Sequence, residues 1–260
     1  MRLKFYKYQG TGNDFILIDN REGLFEYKKE LVAHLCDRHF GIGADGMLLL
    51  ENVNGFDFRM VYYNSDGSPA TMCGNGGRCI MAFANRLGVI GETAKFLAAD
   101  GPHSARILNT DKHVVQVELS MKDVTITQKN KHSVTLNTGT PHFVSFVDDP
   151  DIIDIVSEGR KIRYAPEYAP FGINVNFSKL DGENIYVRTY EKGVEDETLS
   201  CGTGVTASAI AASEFTVGKK FKVTTRGGQL SVAFDKEGNN YTNIRLSGPA
   251  TIVFIGEISI

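Results

Sequence analysis

Two cysteines open two stretches of the same grammar: Cys73-Gly74-Asn75-Gly76-Gly77-Arg78-Cys79 and Cys201-Gly202-Thr203-Gly204-Val205-Thr206-Ala207. In each, Gly-polar-Gly follows the cysteine and leads into a segment that reads as a helix, Ile80 to Leu87 before a stop at Gly88, and Ala207 to Ala212. Small residues at a helix start leave backbone N–H groups open, and these groups with the helix dipole attract negative charge. A thiol placed there is favoured as thiolate. Two such thiols acting as a pair could invert a carbon centre: one, as thiolate, removes a proton from one face while the other, as thiol, protonates the opposite face. Neither is a strong base for an α-proton, so the site would have to stabilise the carbanion. Helix N-termini aimed at a carboxylate, with water excluded, would do so.

Other residues invite plainer readings. Cys36 and Cys79 read as buried small hydrophobes, Cys79 because it falls well inside the helix that follows Cys73. The four cysteines show neither a disulfide framework nor the C-x₂₋₄-C spacing of a zinc site, so no metal is expected. Gly10-Thr11-Gly12 and Gly41-Ile42-Gly43 match no dinucleotide or phosphate-loop pattern and read as turns that bring backbone close to a small ligand. His142 reads either as a satisfied core histidine or as a group that sets the protonation of a nearby thiol.

The elements that must position these groups are mostly strands. Residues 3–8 and 15–19 flank a turn, 28–38 is helical in pattern, and strands are expected at 47–50, 56–63, 94–99, 104–108 and 113–119. The second half repeats the grammar, with strands at 123–127, 133–137, 142–147, 174–180 and 186–190 and a short helix near 151–157. Strands near 220–225, 229–235, 241–247 and 250–260 close the chain. The expectation is an α+β protein of two similar domains, each a curved, mostly antiparallel sheet around a central helix, with the active site in the cleft between them. The domains would span 1–120 and 121–256.

Composition narrows the class. The 260 residues are 42% hydrophobic and 23% charged, the balance of a globular protein with room for two cores. A net charge of −3 gives no reason to expect nucleic acid or an anionic membrane as partner. No apolar run approaches membrane-helix length and no signal peptide is evident, so a cytoplasmic enzyme with reduced thiols is expected.

At these residues the chain resembles the diaminopimelate epimerases, cofactor-independent amino-acid racemases, over essentially its whole length. The resemblance rests on Gly10-Thr11-Gly12-Asn13-Asp14-Phe15, Asn64-Ser65-Asp66-Gly67, Met72 through Cys79, Pro141-His142, Asn174-Val175-Asn176-Phe177, and Tyr190-Glu191-Lys192-Gly193 through Glu197-Thr198 to Cys201-Gly202-Thr203-Gly204. It implies that Cys73 and Cys201 are proton donor and acceptor, exchanging roles with direction. It implies that Gly74, Asn75, Gly202 and Thr203 hold the reacting carboxylate, that Asn13, Asn64 and Asn174 bind substrate, and that Glu191 contacts a substrate ammonium. Glu191 and His142 would tune the two thiols. The family's fold is usually dimeric, with the last strand, here 257–260, returning to the first domain.

Three positions depart from the family's pattern. Lys192 stands where an arginine usually grips the distal carboxylate, and loses the two-pronged fork. Thr140 stands where many members have asparagine, keeping one hydroxyl for substrate, and Gly46 where some have glutamine. The activity implied is epimerisation of LL-2,6-diaminopimelate to the meso form without pyridoxal phosphate. The alternatives are another racemase of the same fold, such as a proline racemase, and a redox-sensing ligand-binding protein in which Cys73 and Cys201 form a reversible disulfide.

Overall fold

The first strand, Arg2–Gly10 (β1), is buried on both faces through its middle because each face meets a core: Leu3 and Phe5 belong to one apolar cluster, Tyr6 and Tyr8 to another. The computed structural model describes residues 2–260 and forms two compact units, Met1–Leu119 with Gly248–Ile260, and Ser120–Ser247.

The first unit continues through β2 (Asn13–Asp19), α1 (Lys29–Cys36), β3 (Gly46–Glu51), β4 (Phe58–Asn64), β5 (Pro69–Ala70), α2 (Gly74–Arg86), β6 (Thr93–Ala98), β7 (Gly101–Asp111) and β8 (Val114–Ser120). The last strand of the chain, β17 (Asn240–Ser259), supplies its outer half to this unit. Pairing runs β17–β1–β2–β3–β4–β6–β7–β8 and back to β17, where Gly248 faces Val117. The strands therefore close on themselves and leave no long free edge. Every residue of α2 from Gly74 to Ala84 is buried, and its apolar side packs with Leu17, Leu48, Phe58, Phe96 and Leu119. α1 covers the other face through Val32 and Leu35 against Ile16, Ile18, Met47 and Leu49.

The second unit repeats the plan with β9 (Val124–Lys129), β10 (Ser133–Asn137), β11 (Pro141–Phe146), α3 (Ile155–Arg163), β12 (Asn174–Asp181), β13 (Asn184–Glu191), β14 (Asp196–Thr198), α4 (Gly202–Ala212), β15 (Lys220–Thr225) and β16 (Gly228–Glu237). Its ring runs β9–β10–β11–β12–β13–β15–β16–β17 and closes where Tyr241 of β17 meets Val124 of β9. The parallel pairs fall at equivalent places, β2–β3 and β4–β6 in the first unit, β11–β12 and β13–β15 in the second. α4 is buried almost all round, which its Gly, Ala and Ser content permits, and α3 takes the outer position that α1 holds in the first unit.

The α+β class with a central helix in each unit is what the structure has. The expected curved sheets are closed rings, because β17 and β9 each bridge two strands that would otherwise be edges. The returning segment begins at Gly248 rather than at 257. The expected strands 241–247 and 250–260 are one strand: the interval between them, with Pro249, falls where β17 changes partner from β16 to β8. The helix expected near 151–157 is a 3-10 turn, Pro150–Ile152, followed by the longer α3, which Asp154 caps by accepting from Ser157 N at 3.0 Å. No helix among the described residues is long and apolar enough to cross a membrane.

Candidate active site

Cys73 is the N-cap of α2, with extended backbone (φ −115°, ψ 132°) and no capping hydrogen bond from its own side chain. The N–H groups of a first helix turn have no carbonyl partner within their own helix, and here that turn begins at Gly74 and Asn75. Asn13, at the start of β2, directs Nδ2 at Cys73 Sγ from 3.9 Å, while its Oδ1 is buried with no hydrogen-bond partner among the described residues. A tight hairpin puts it there: Thr11 (φ 52°) and Gly12 (φ 87°) both take the left-handed region, which for a β-branched threonine costs about 1–2 kcal/mol. The next residue, Asp14, is anchored to Lys7 and Arg38, each at 2.7 Å. Burial would raise its carboxyl pKa, but these cations outweigh it and hold it well below the carboxylate range.

Arg78 lies directly behind the first turn of α2 and is wholly buried. Its guanidinium donates to Pro249 O (3.1 Å), Gly74 O (3.2 Å), Thr11 Oγ1 (3.1 Å) and Asn75 Oδ1 (3.0 Å), all neutral acceptors. Burial lowers its pKa, opposed by the nearby Cys79 and Cys73 thiols. Sequence reasoning quoted Arg78 without giving it a role. Its place three and four residues after Asn75 and Gly74 on a helix is the signal that could have found it.

The glycine runs approach protein rather than ligand. A Cβ at Gly10 would lie 3.2 Å from Arg78 Nη2, and one at Gly41 would overlap His34 O at the end of α1. Gly46 has a similar cause: a Cβ there would fall 2.6 Å from Tyr62 Cε2 and 2.7 Å from Tyr63 O. Asn64, at the end of β4, is exposed and donates to Ser68 Oγ at 3.2 Å.

Cys201 is the N-cap of α4 with nearly the same backbone as Cys73 (φ −113°, ψ 113°) and likewise makes no capping hydrogen bond through its side chain, with Gly202 and Thr203 beginning the first turn. Its Sγ lies 3.3 Å from Thr203 Oγ1, which lies 3.0 Å from His142 Nε2. Asn174 sits beside His142 on the neighbouring parallel strand, accepts from Lys192 N at 2.8 Å, and brings Nδ2 to 3.4 Å from Thr140 Oγ1. Burial raises the Glu191 pKa, and the Thr198 and Cys201 side chains beside it oppose the rise. His142 is fully buried, and burial together with the Lys192 charge pushes its pKa down to about 3, so it is neutral at physiological pH. His142 is a buried histidine with hydrogen-bond partners, and Thr203 Oγ1 lies between it and Cys201.

The structure thus gathers Thr140, His142, Asn174, Glu191, Lys192, Cys201 and Thr203 in one unit, and Asn13, Cys73, Gly74 and Asn75 in the other. Sequence reasoning passed over Thr138, whose hydroxyl donates to Thr203 O at 3.0 Å, and gave no role to Asn176, which touches His142 Nδ1 at 3.0 Å. Period-two alternation with Asn174 would have put Asn176 on the same face. Cys36 and Cys79 are buried, and burial pushes both thiols up to about 12.

The pattern described as diaminopimelate epimerase matches residues 5–126 and 134–253. A diaminopimelate epimerase of Flavobacterium psychrophilum is 50% identical over 97% of this chain and 98% of its own length. One of Chlorobaculum tepidum is 40% identical over 96% and 99%. Among solved structures, a Bacillus anthracis phenazine biosynthesis protein of the PhzF family superposes with TM-score 0.78 at 14% identity, covering 100% of both chains. A hydroxyproline epimerase of Agrobacterium vitis superposes with TM-score 0.74 at 14% identity, covering 100% of this chain and 93% of that one. At that identity the likeness is one of fold.

Proposed function

Because the chain belongs to the diaminopimelate epimerase family, we infer that it is an isomerase inverting one α-carbon of LL-2,6-diaminopimelate to give the meso form, a step of lysine biosynthesis. We propose that Cys73 and Cys201 are its acid and base, acting on opposite faces of that carbon. The observation that carries this is the pair of N-capping cysteines with matching backbone, each at the start of a buried helix that its own side chain does not cap. A carboxylate received by the Gly74–Asn75 and Gly202–Thr203 N–H groups would take up the charge that develops as the α-proton leaves. Asn13 Oδ1, buried without a partner among the described residues, is suited to accept from a substrate ammonium. Glu191 would share one proton with Cys201, since its burial favours the neutral carboxyl. Asn64, Asn174 and Lys192 would serve the distal end. The mechanism needs no pyridoxal phosphate, and a cytoplasmic homodimer belongs to the same proposal.

A proline racemase-like activity has less support, since the relatives named at 40–50% identity are diaminopimelate epimerases and the racemase likeness is one of fold at 14%. The test is to follow LL-diaminopimelate and proline in heavy water. Diaminopimelate should take up α-deuterium and proline should not. Cys73→Ser and Cys201→Ser should each abolish epimerisation, because losing either thiol removes one face of the relay. Full epimerisation by either variant would refute the two-thiol mechanism, and deuterium in proline alone would refute the substrate.

A further inference from the structure

Asn176 is fully buried on β12, and its amide has no rotational choice. Nδ2 lies 3.1 Å from Phe143 O, an atom that can only accept, while Oδ1 takes the Thr189 hydroxyl at 3.0 Å. The second hydrogen of the same Nδ2 is aimed at His142 Nδ1, 3.0 Å away. That nitrogen must therefore accept, and a neutral imidazole that accepts at Nδ1 carries its hydrogen on Nε2. Nε2–H donates to Thr203 Oγ1 at 3.0 Å, and the hydroxyl is left with one hydrogen and Cys201 Sγ at 3.3 Å to receive it.

The opposite tautomer would face N–H against the Asn176 NH₂ at 3.0 Å. The one assigned leaves a donor–donor approach only at 3.4 Å, between Nε2 and Asn174 Nδ2, and Thr140 Oγ1 stands at 3.4 Å to take the Asn174 hydrogen instead. The shorter conflict decides. The titratable groups around this path are Glu191, beside Cys201, and Lys192, whose charge acts on His142.

We propose that Asn176 is a positioning residue for Cys201: it keeps the His142 proton on Nε2 and so commits the Thr203 hydroxyl to donate to the sulfur, favouring the thiolate. The catalytic meaning rests on the function proposed above. The hydrogen-bond lock does not.

The experiment uses full-length protein labelled with ¹⁵N-histidine, the His142 signal being identified by its loss in His142→Gln. Wild type should show Nδ1 bare and Nε2 protonated. Asn176→Leu removes the donor, so an Nδ1–H population should become visible. Alkylation of Cys201 by iodoacetamide, measured with Cys73→Ser in the background, should slow several-fold in the same variant. Thr203→Val removes the hydroxyl but keeps the lock. It should slow alkylation about tenfold, the scale of one lost hydrogen bond to a charged group, with the tautomer unchanged. Should Asn176→Leu not fold, Asn176→Asp replaces it: a carboxylate only accepts, so Nδ1 should become protonated. A wild-type His142 protonated on Nδ1, or a tautomer that no Asn176 variant moves, overturns the proposal. If tautomer and alkylation follow this pattern while diaminopimelate exchanges no α-proton, the lock stands and the functional reading falls.

Discussion

Gly76 and Gly204 hold the same place, third in the helix after an N-capping cysteine, and alanine at each should give opposite results. Neither has a positive φ, so replacing glycine by alanine contributes up to about 1 kcal/mol of helix propensity at both. At Gly76 the new methyl would meet the flexible ends of Met60 (Cε, 3.3 Å) and Leu48 (Cδ1, 3.5 Å), which can yield. At Gly204 it would overlap Asn176 Oδ1 and lie 3.4 Å from both Cys201 Cβ and His142 Cε1. The Asn176 amide is held on three sides, so it cannot step back without breaking a bond to Phe143, Thr189 or His142. Overpacking of that kind costs about 1–3 kcal/mol, which exceeds the propensity gain. Gly76→Ala should therefore be neutral or raise Tm slightly. Net of that gain about 1–2 kcal/mol remains, so Gly204→Ala should lower Tm by about 2–8 °C, at roughly 2–4 °C per kcal/mol for a chain of this size. Turnover should fall further than stability does, because the displaced amide is the one that holds His142. Thermal melting and epimerase turnover of the two variants decide the matter. A Gly204→Ala protein as stable and active as wild type, or a Gly76→Ala protein equally damaged, would refute the packing argument.

Lys192→Arg should lower KM for diaminopimelate by about fivefold, the worth of roughly 1 kcal/mol for a second charge-assisted hydrogen bond; an unchanged KM with turnover intact would mean that the side chain does not grip the distal carboxylate. Cys36→Ser and Cys79→Ser should keep most activity and change nothing in the alkylation rate at neutral pH, since burial holds both thiols protonated. Burial would raise the Glu214 pKa, but hydrogen bonds from Lys129, Lys236 and Tyr241 lower it to about 2. Its stabilisation is therefore complete above the ordinary glutamate pKa near ~4.3 and is lost as pH falls towards about 2. Melting of Glu214→Gln against wild type should show a deficit at pH 7 that vanishes by about pH 2, and a deficit independent of pH would count against these ion pairs.

The two cysteines, their helices and most strands were legible in the chain because each depends on local patterns. Small residues ahead of an apolar run of helical period mark a helix start, and period-two alternation marks strands such as β6 and β15 before any partner is known. The repeated grammar of the halves likewise announced two similar cores. What the chain could not announce depends on residues distant in sequence meeting in space. Ring closure needs Gly248 beside Val117 and Tyr241 beside Val124, and the continuity of β17 past residue 247 depends on its change of partner there. Gly46 looks like a lost contact until the Tyr62 ring is seen filling its space, and Gly76 and Gly204 look alike until one faces pliable methionine and leucine ends and the other a locked amide. His142 was open to two readings because a histidine's proton is placed by its neighbours, and the neighbour that places it, Asn176, is thirty-four residues away. Local sequence sets the conformation each segment prefers; charge state, tautomer and available volume are properties of the assembled surroundings, and only the tertiary structure supplies those.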